Sequence, residues 1–386
     1  MKLEGIRVLD LSLFLPGPHL TMMMADHGAE VLKVEPYPAG EPVRDMPYRK
    51  NGFTVWFRNT HRGKKSLRLN LKSPEGKEIL LQLARDADVF VEAFRPGVAK
   101  RLGIDYDAIA AVNPRIVYAS VSAFGQTGRY ADKPAHDLAV QALSGLVACN
   151  LGHDGKPTNP HMPVADMAAS LMALSGILMA LLRREKTGKG DFLDVAMLDA
   201  QMAWTPNSTG PVFAEQRAPV VKEERSWGGS AMYRLYETQD GKFIALGGSE
   251  HKFAENLLRA LDREDLFPYA HIVPGPGQDP LKRFYEATFR TKPLAYWLDF
   301  LAGVDCCWAP VRDLKEAFDD PHLRERGMLL TDAQGNDHIG VPIMFRNEPG
   351  KPDFQVPELG EHADEVLQRL GYDAAAIAKL RTANVI

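Results

Sequence analysis

His136 and Asp137 sit side by side in ADKPAHDLAVQALSGL, just after Lys133-Pro134, where a loop turns into an amphipathic helix. An imidazole beside a carboxylate can take and return protons near neutral pH. The same pair at a helix entrance also suits capping, because an aspartate there complements the unsatisfied N–H groups. Asp166 follows HMPVA and precedes a strongly apolar run, so the sequence places it at the entrance of a buried helix, in an N-cap position. A carboxylate oriented by backbone N–H groups and partly withdrawn from water can act as a base or a nucleophile. Glu250, in GGSEHKF, closes a strand pattern and opens a helical one. Three acids and a histidine, each at an element boundary, form the candidate catalytic set.

Basic residues cluster twice. HRGKKSLR supplies Arg62, Lys64, Lys65 and Arg68, and FRPGVAKRLG supplies Arg95, Lys100 and Arg101 directly after a strand. Solvated faces are the common fate of such charges. Loops at the carboxyl ends of parallel strands, however, are where α/β sheets bind ligands, and arginine there suits phosphate. A ligand carrying several phosphates is therefore expected. Other chemistries find no motif. The first strand is followed by Leu13-Phe14-Leu15-Pro16-Gly17-Pro18, with no G-x-G-x-x-G for a dinucleotide. Gly63-Lys64 and Gly188-Lys189 lack the upstream glycine of a Walker loop, and no G-x-S-x-G elbow occurs. His153, Asp154 and His161 lie in a polar loop without a second ligand cluster, so no metal is expected.

The elements that must position these residues follow from periodicity. Over the first 200 residues, strand patterns at 6–12, 30–35, 66–71, 89–94, 115–124 and 192–197 alternate with helical ones. Ser73-Pro74-Glu75 starts one helix with a cap, a proline and an acid. The apolar stretch Met167 to Leu182 reads as a core helix too short for a membrane span. Alternating strands and helices imply an α/β fold, an open, mostly parallel sheet covered on both faces. Past residue 200 the texture changes. Residues 205–226 are rich in proline and charge and read as a linker; MYRLYETQDGKFIALGG is a hairpin, followed by helical patterns and a strand near 308–312. The expected organisation is a large domain over 1–204, a linker at 205–226, a small α+β domain over 227–328, and a return through 329–386 to helices packing on the large domain.

The chain has 386 residues, 45% hydrophobic and 25% charged, with net charge −4, which allows two domains with sizeable cores. A slightly acidic chain without a basic stripe argues against nucleic acid as partner. Cys149 and the adjacent Cys306-Cys307 make no disulfide framework, and MKLEGIRVLDLS runs into a strand without an apolar signal segment. A cytoplasmic setting is expected.

The ordered stretches GIRVLDLS, ADHGAEVLKVE, RGKKSLRLNLKSPEGKE, ADVFVEAFRPGV, NPRIVYASVSAFGQTG, HDLAVQALSG, VADMAAS, KTGKGDFLDVAMLD and LGEHADEVL span almost the whole chain. By them it resembles the class III CoA-transferase (CaiB/BaiF) family. The resemblance implies a Rossmann-like large domain, a small domain and an interlocked homodimer. It implies acyl-CoA and a small carboxylic acid as substrates, with coenzyme A entering as a thioester and no permanently bound cofactor. It gives Asp166 the central role: attack on acyl-CoA, a mixed anhydride, then an aspartyl-CoA thioester resolved by an acceptor carboxylate. Leu69, Asn70, Leu71, Lys72, Phe94, Arg95 and Arg101 match positions that hold CoA. The family's α-methylacyl-CoA racemase branch instead moves a proton beside the thioester, and its two acid/base pairs match His136 with Glu250 and Asp166 with Asp137. Formyl-CoA transferases carry a tyrosine where His136 stands, a glutamine where Leu15 stands, and a glycine-rich lid of which only Gly228-Gly229 remains here. The expected activity is CoA transfer, with racemisation as the alternative and a non-catalytic CoA-binding protein as the alternative of another class.

Overall fold

A computed structural model describes residues 1–152 and 154–386; His153 lies outside the described residues. The chain forms two compact units. The first comprises Met1–Leu146, Asn159–Trp204 and Pro321–Ile386; the second comprises Val147–Thr158 and Thr205–Asp320. The segment 205–226, expected as a linker, belongs to the second unit and contains the short helix Gly210–Glu215. Val147–Thr158, from the stretch assigned to the large domain, clusters there too. A lapse in periodicity marks the end of regular structure and does not by itself mark the end of a folded unit.

The first unit is built on six parallel strands: β1 (Arg7–Asp10), β2 (Glu30–Pro36), β3 (Lys65–Leu69), β4 (Val89–Glu92), β5 (Val117–Ser122) and β6 (Asp191–Ala196). Their spatial order is β3-β2-β1-β4-β5-β6. The helices of this unit are α1 (Pro16–Asp26), α2 (Pro74–Arg85), α3 (Val98–Leu102), α4 (Tyr106–Val112), α5 (Asp137–Leu143), α6 (Val164–Thr187) and α7 (Met197–Met202). Period-two alternation divides β1, β2, β4 and β5 between two cores. Leu9, Leu32, Leu67, Phe90 and Tyr118 face one way, with Ile79 and Leu80 of α2 and Ile109 of α4. Val8, Val31, Val89, Val117 and Ala119 face the other, with Leu20 and Met24 of α1 and Ala169, Ala173 and Ile177 of α6. Burial on both faces explains why the strands read as apolar runs.

The long helix α6 extends beyond the apolar stretch 167–182 at both ends. It has 24 residues, and its most apolar 18-residue stretch has mean hydropathy 1.8, enough in length and composition to cross a membrane. Here one flank packs on the sheet, and Met179 and Leu182 on the other flank remain 68% and 70% exposed.

In the second unit β7 (Tyr233–Glu237), β8 (Phe243–Gly247) and β9 (Trp308–Pro310) form an antiparallel sheet in the order β9-β8-β7. Helices α8 (His251–Ala260), α9 (Asp279–Phe289) and α10 (Leu294–Leu301) supply Leu257, Tyr285 and Trp297 to its core. Back in the first unit, the last helices, α11 (Ala363–Arg369) and α12 (Ala374–Thr382), bury Leu367 and Ile377 in the core that holds Leu67.

Candidate active site

Strand order reverses between β1 and β4, and the crevice outside the carboxyl ends of two such strands is where open α/β sheets bind ligands. A cleft of about 270 Å³ lies there. Leu13, Phe14 and Pro16 line it from beyond β1, Ala93 to Pro96 from beyond β4, and Val121 to Ala123 from the end of β5. Lys133 to His136, Asp166 and Met197 complete the walls.

The β1–α1 loop is anchored by buried charge. Asp10 is fully buried; Lys64 reaches it at 3.0 Å and Lys33 at 3.5 Å, and Lys33 also bonds the Ser12 carbonyl and lies 3.3 Å from Glu41. Burial alone would raise the Asp10 carboxyl, but the two ammonium groups and the hydroxyls of Ser12 and Thr21 outweigh it and hold it well below the usual range. Burial pulls the Lys64 ammonium down to about 8 against the pull of Asp10. A Cβ at Gly17 would collide with the Ser12 side chain, so only glycine lets α1 begin so close to the loop. Phe14 takes a left-handed backbone, φ +65°, and its N–H donates to Glu41 Oε1 at 2.9 Å. That loop sets the Phe14 ring edge-on to His136, with centroids 5.4 Å apart.

His136 is the N-cap residue of α5, with extended backbone and no capping bond from its side chain. Asp137 caps a different helix from its own. The residue before α6 is Pro163, which has no side-chain acceptor, and Asp137 fills that vacancy from α5. Its Oδ1 accepts the N–H groups of Ala165 at 2.8 Å and Asp166 at 3.2 Å. Asp166 is therefore the third residue of α6 rather than its cap. No hydrogen bond reaches its carboxylate within the described residues, and it lines the cleft half-buried. Burial, and then the neighbouring Asp137 charge, push it up to about 7. The amino end of α6 pulls the other way and does not cancel them.

Three further residues belong to this site and escape a reading by motif. Gln141, one turn beyond Asp137, is buried and donates to Asp137 Oδ2 at 2.6 Å. Lys133 lines the cleft with no carboxylate within 4 Å among the described residues. Glu92 ends β4, just before Ala93 of the cleft wall, and accepts the Phe94 N–H at 2.6 Å. Burial raises the Glu92 carboxyl to about 7, against the Ser120 hydroxyl and the Phe94 N–H. A lone acid in VFVEAF was the available signal, since a central parallel strand seldom carries a charge.

The cleft brings together Asp166, His136, Phe94 and Arg95, with Asp137 directly behind Asp166. Leu69 to Lys72 and Arg101 do not line it. Leu69 is buried in the core, the Asn70 amide donates to the Asn384 carbonyl at 3.2 Å, and Leu71 packs on the core that Phe94 also touches. Lys72, Arg95, Lys100 and Arg101 are exposed cations. In the first basic cluster each cation has a partner within the fold. Arg62 is buried in a two-point pair with Asp26, at 2.7 and 3.0 Å; Lys64 is buried on Asp10; Lys65 pairs with Glu365; and Arg68 lies over the Tyr37 ring. Glu250 belongs to the second unit, at the N-cap of α8. There it lines a cleft of about 140 Å³ with Arg225, Ser249 and His251.

A six-stranded parallel sheet with an acid-bearing cleft at its switch point defines an α/β protein equipped for acyl or proton chemistry at a carboxylate. Residues 3–363 match the model of CoA-transferase family III, and the chain belongs to that family. The succinyl-CoA:glutarate CoA-transferase of Mus musculus is 32% identical over 100% of this chain and 90% of its own. The alpha-methylacyl-CoA racemase of Homo sapiens is also 32% identical, over 100% of this chain and 98% of its own. A CAIB/BAIF family protein from Brucella suis has a similar structure: TM-score 0.82, 27% identity, covering 95% of this chain and 99% of that one.

Proposed function

We propose that this protein is an acyl-CoA:carboxylate CoA-transferase in which Asp166 is the nucleophile. The observation that carries the reading is a carboxylate fixed through its own backbone N–H, with its oxygens left open to a cleft that Arg95 also lines. In the proposed sequence Asp166 attacks the thioester carbonyl of the donor, releasing the CoA thiolate and leaving a mixed anhydride. The thiolate then attacks the aspartyl carbonyl, freeing the donor acid and forming an aspartyl-CoA thioester. The acceptor carboxylate reverses these steps and leaves as the new thioester. Phe94 and Arg95 are proposed to hold CoA at the cleft, with Leu69 to Lys72 and Arg101 as further contacts on the family resemblance. A cytoplasmic location and an interlocked homodimer belong to the same proposal. The exposed apolar flank of α6 supports the dimer, and light scattering at twice the chain mass tests it.

A second reading, α-methylacyl-CoA racemase, is favoured by one observation: His136 and Asp166 line the same cleft, with the Asp166 carboxyl near 7. A racemase would use these two as its proton groups, with Glu250 and Asp137 as their carboxylate partners. The deciding experiment incubates the protein with a panel of acyl-CoA thioesters, with and without carboxylate acceptors, in deuterated water. Transfer predicts a CoA adduct on Asp166, visible by intact mass, cleaved by hydroxylamine and discharged by an acceptor. Deuterium entering a 2-methylacyl-CoA without any adduct replaces transfer by racemisation. Neither adduct nor exchange leaves a CoA-binding protein without catalysis.

A further inference from the structure

Gln141 joins α5 to the entrance of α6. Its side chain is 3% exposed. One N–H of its amide donates to Asp137 Oδ2 at 2.6 Å and the other to the Met162 carbonyl at 3.0 Å. Both partners are acceptors, which settles which end of the amide is nitrogen. Met162 immediately precedes Pro163, the cap position of α6. The opposite oxygen of Asp137 holds the N–H groups of Ala165 and Asp166. One glutamine therefore fixes the carboxylate that fixes the backbone of the reacting residue, and it also fixes the turn leading into that residue.

We infer that Gln141 is a positioning residue: it clamps Asp137 and the Met162 carbonyl together, so that the α6 entrance presents the Asp166 carboxylate to the cleft in one orientation. This rests on reading Asp166 as the reacting group. The chemistry favours glutamine over any apolar residue of the same length, because two acceptors must be joined by one group with two donors. Without it, one oxygen of the Asp137 carboxylate loses its partner, the Met162 carbonyl keeps only the Val164 N–H at 2.9 Å, and the tie between the 162–163 turn and α5 is gone. A displacement of about 1 Å at a reacting group is enough to cost on the order of a hundredfold in rate.

The test uses Gln141→Met, which keeps length and loses both donors. Val140→Ala, in the preceding position of α5, is the control: it removes buried volume but neither hydrogen-bonding group of Gln141. Gln141→Met should lower kcat for acyl transfer roughly tenfold or more, with KM for the thioester within about threefold. Val140→Ala should match its loss of thermal stability while keeping kcat near wild type. A second readout needs no turnover: carboxyl-13C NMR of aspartate-labelled protein, with the two signals identified through Asp137→Asn and Asp166→Asn. Besides Asp137, whose carboxylate holds the Asp166 N–H, the ionisable groups lining the cleft with Asp166 are His136, Arg95 and Lys133. The sides formed by α1, β5 and α7 present Pro16, Val121, Ser122 and Met197. With its amide partner gone, the Asp137 charge is less dispersed, so the Asp166 midpoint should move upward by roughly half a unit or more. Unchanged midpoints, or a kcat loss no greater than that of Val140→Ala, would overturn the inference. Midpoints that shift in a protein without transferase turnover would keep the clamp and remove the reading of Asp166 as a transferase nucleophile.

Discussion

Asp137 binds Asp166 through its backbone: Oδ1 accepts the Asp166 N–H at 3.2 Å and the Ala165 N–H at 2.8 Å. Two acids that repel each other are held close because one is occupied with peptide donors while the other faces the cleft. The arrangement caps α6 and, by the same charge, opposes ionisation of the reacting carboxyl.

Asp137→Ala should therefore have two effects. Loss of the cap should destabilise the protein by about 1–2 kcal/mol in denaturant titrations. The Asp166 midpoint should fall towards the ordinary aspartate range, because one of the two causes that raise it has gone. A midpoint that stays near 7 would assign the shift to burial alone.

The pH dependence follows from the same carboxyl. Only the ionised form attacks a thioester, so kcat/KM for transfer should drop as pH falls through about 7. For stability the sign is opposite. The folded state binds the Asp166 proton more tightly than the unfolded chain, so this group stabilises the fold below its unfolded pKa of 3.8. The contribution fades as pH rises and is gone above about 7. Asp166→Asn should then abolish turnover, keep CoA binding, and raise stability at pH 8 by roughly 1–3 kcal/mol. Activity within tenfold of wild type, or a lower melting temperature at pH 8, would contradict it.

Arg95→Ala should chiefly weaken thioester binding. The guanidinium is exposed at the cleft and has no carboxylate within 4 Å among the described residues. A charge-assisted contact to phosphate is worth about 1.5–3 kcal/mol, or ten- to a hundredfold in affinity. Calorimetry giving the wild-type Kd for CoA removes Arg95 from the site.

His136→Ala separates the two chemistries. Its ring meets the edge of Phe14, and in a transferase it shapes the pocket, so the variant should retain appreciable acyl transfer. In a racemase, loss of an acid/base group should slow α-proton exchange by on the order of a hundredfold or more. Parallel assays of both reactions on the one variant decide between them.

Periodicity along the chain was enough to define the six strands, their two buried faces and the order of the elements, because those depend on spacings of two and 3.6 residues within one segment. Ordered motifs from GIRVLDLS to LGEHADEVL carried the family, and a carboxylate ahead of an apolar run marked Asp166. Where each polar side chain finds its partner was decided by tertiary packing. Asp137 looked like the cap of its own helix and caps a helix that begins 27 residues later. Arg62 and Lys64 looked like ligand-binding cations and are buried on Asp26 and Asp10, which lie 36 and 54 residues away in sequence. Gln141 carried a local hint in its spacing of four from Asp137, but the carbonyl that completes its role lies 21 residues further on. A hydrogen bond or ion pair reaches only about 3–4 Å. Sequence spacing reports which residues share a face of one element, whereas a contact that short between elements exists only once α5, α6 and the sheet have closed on one another.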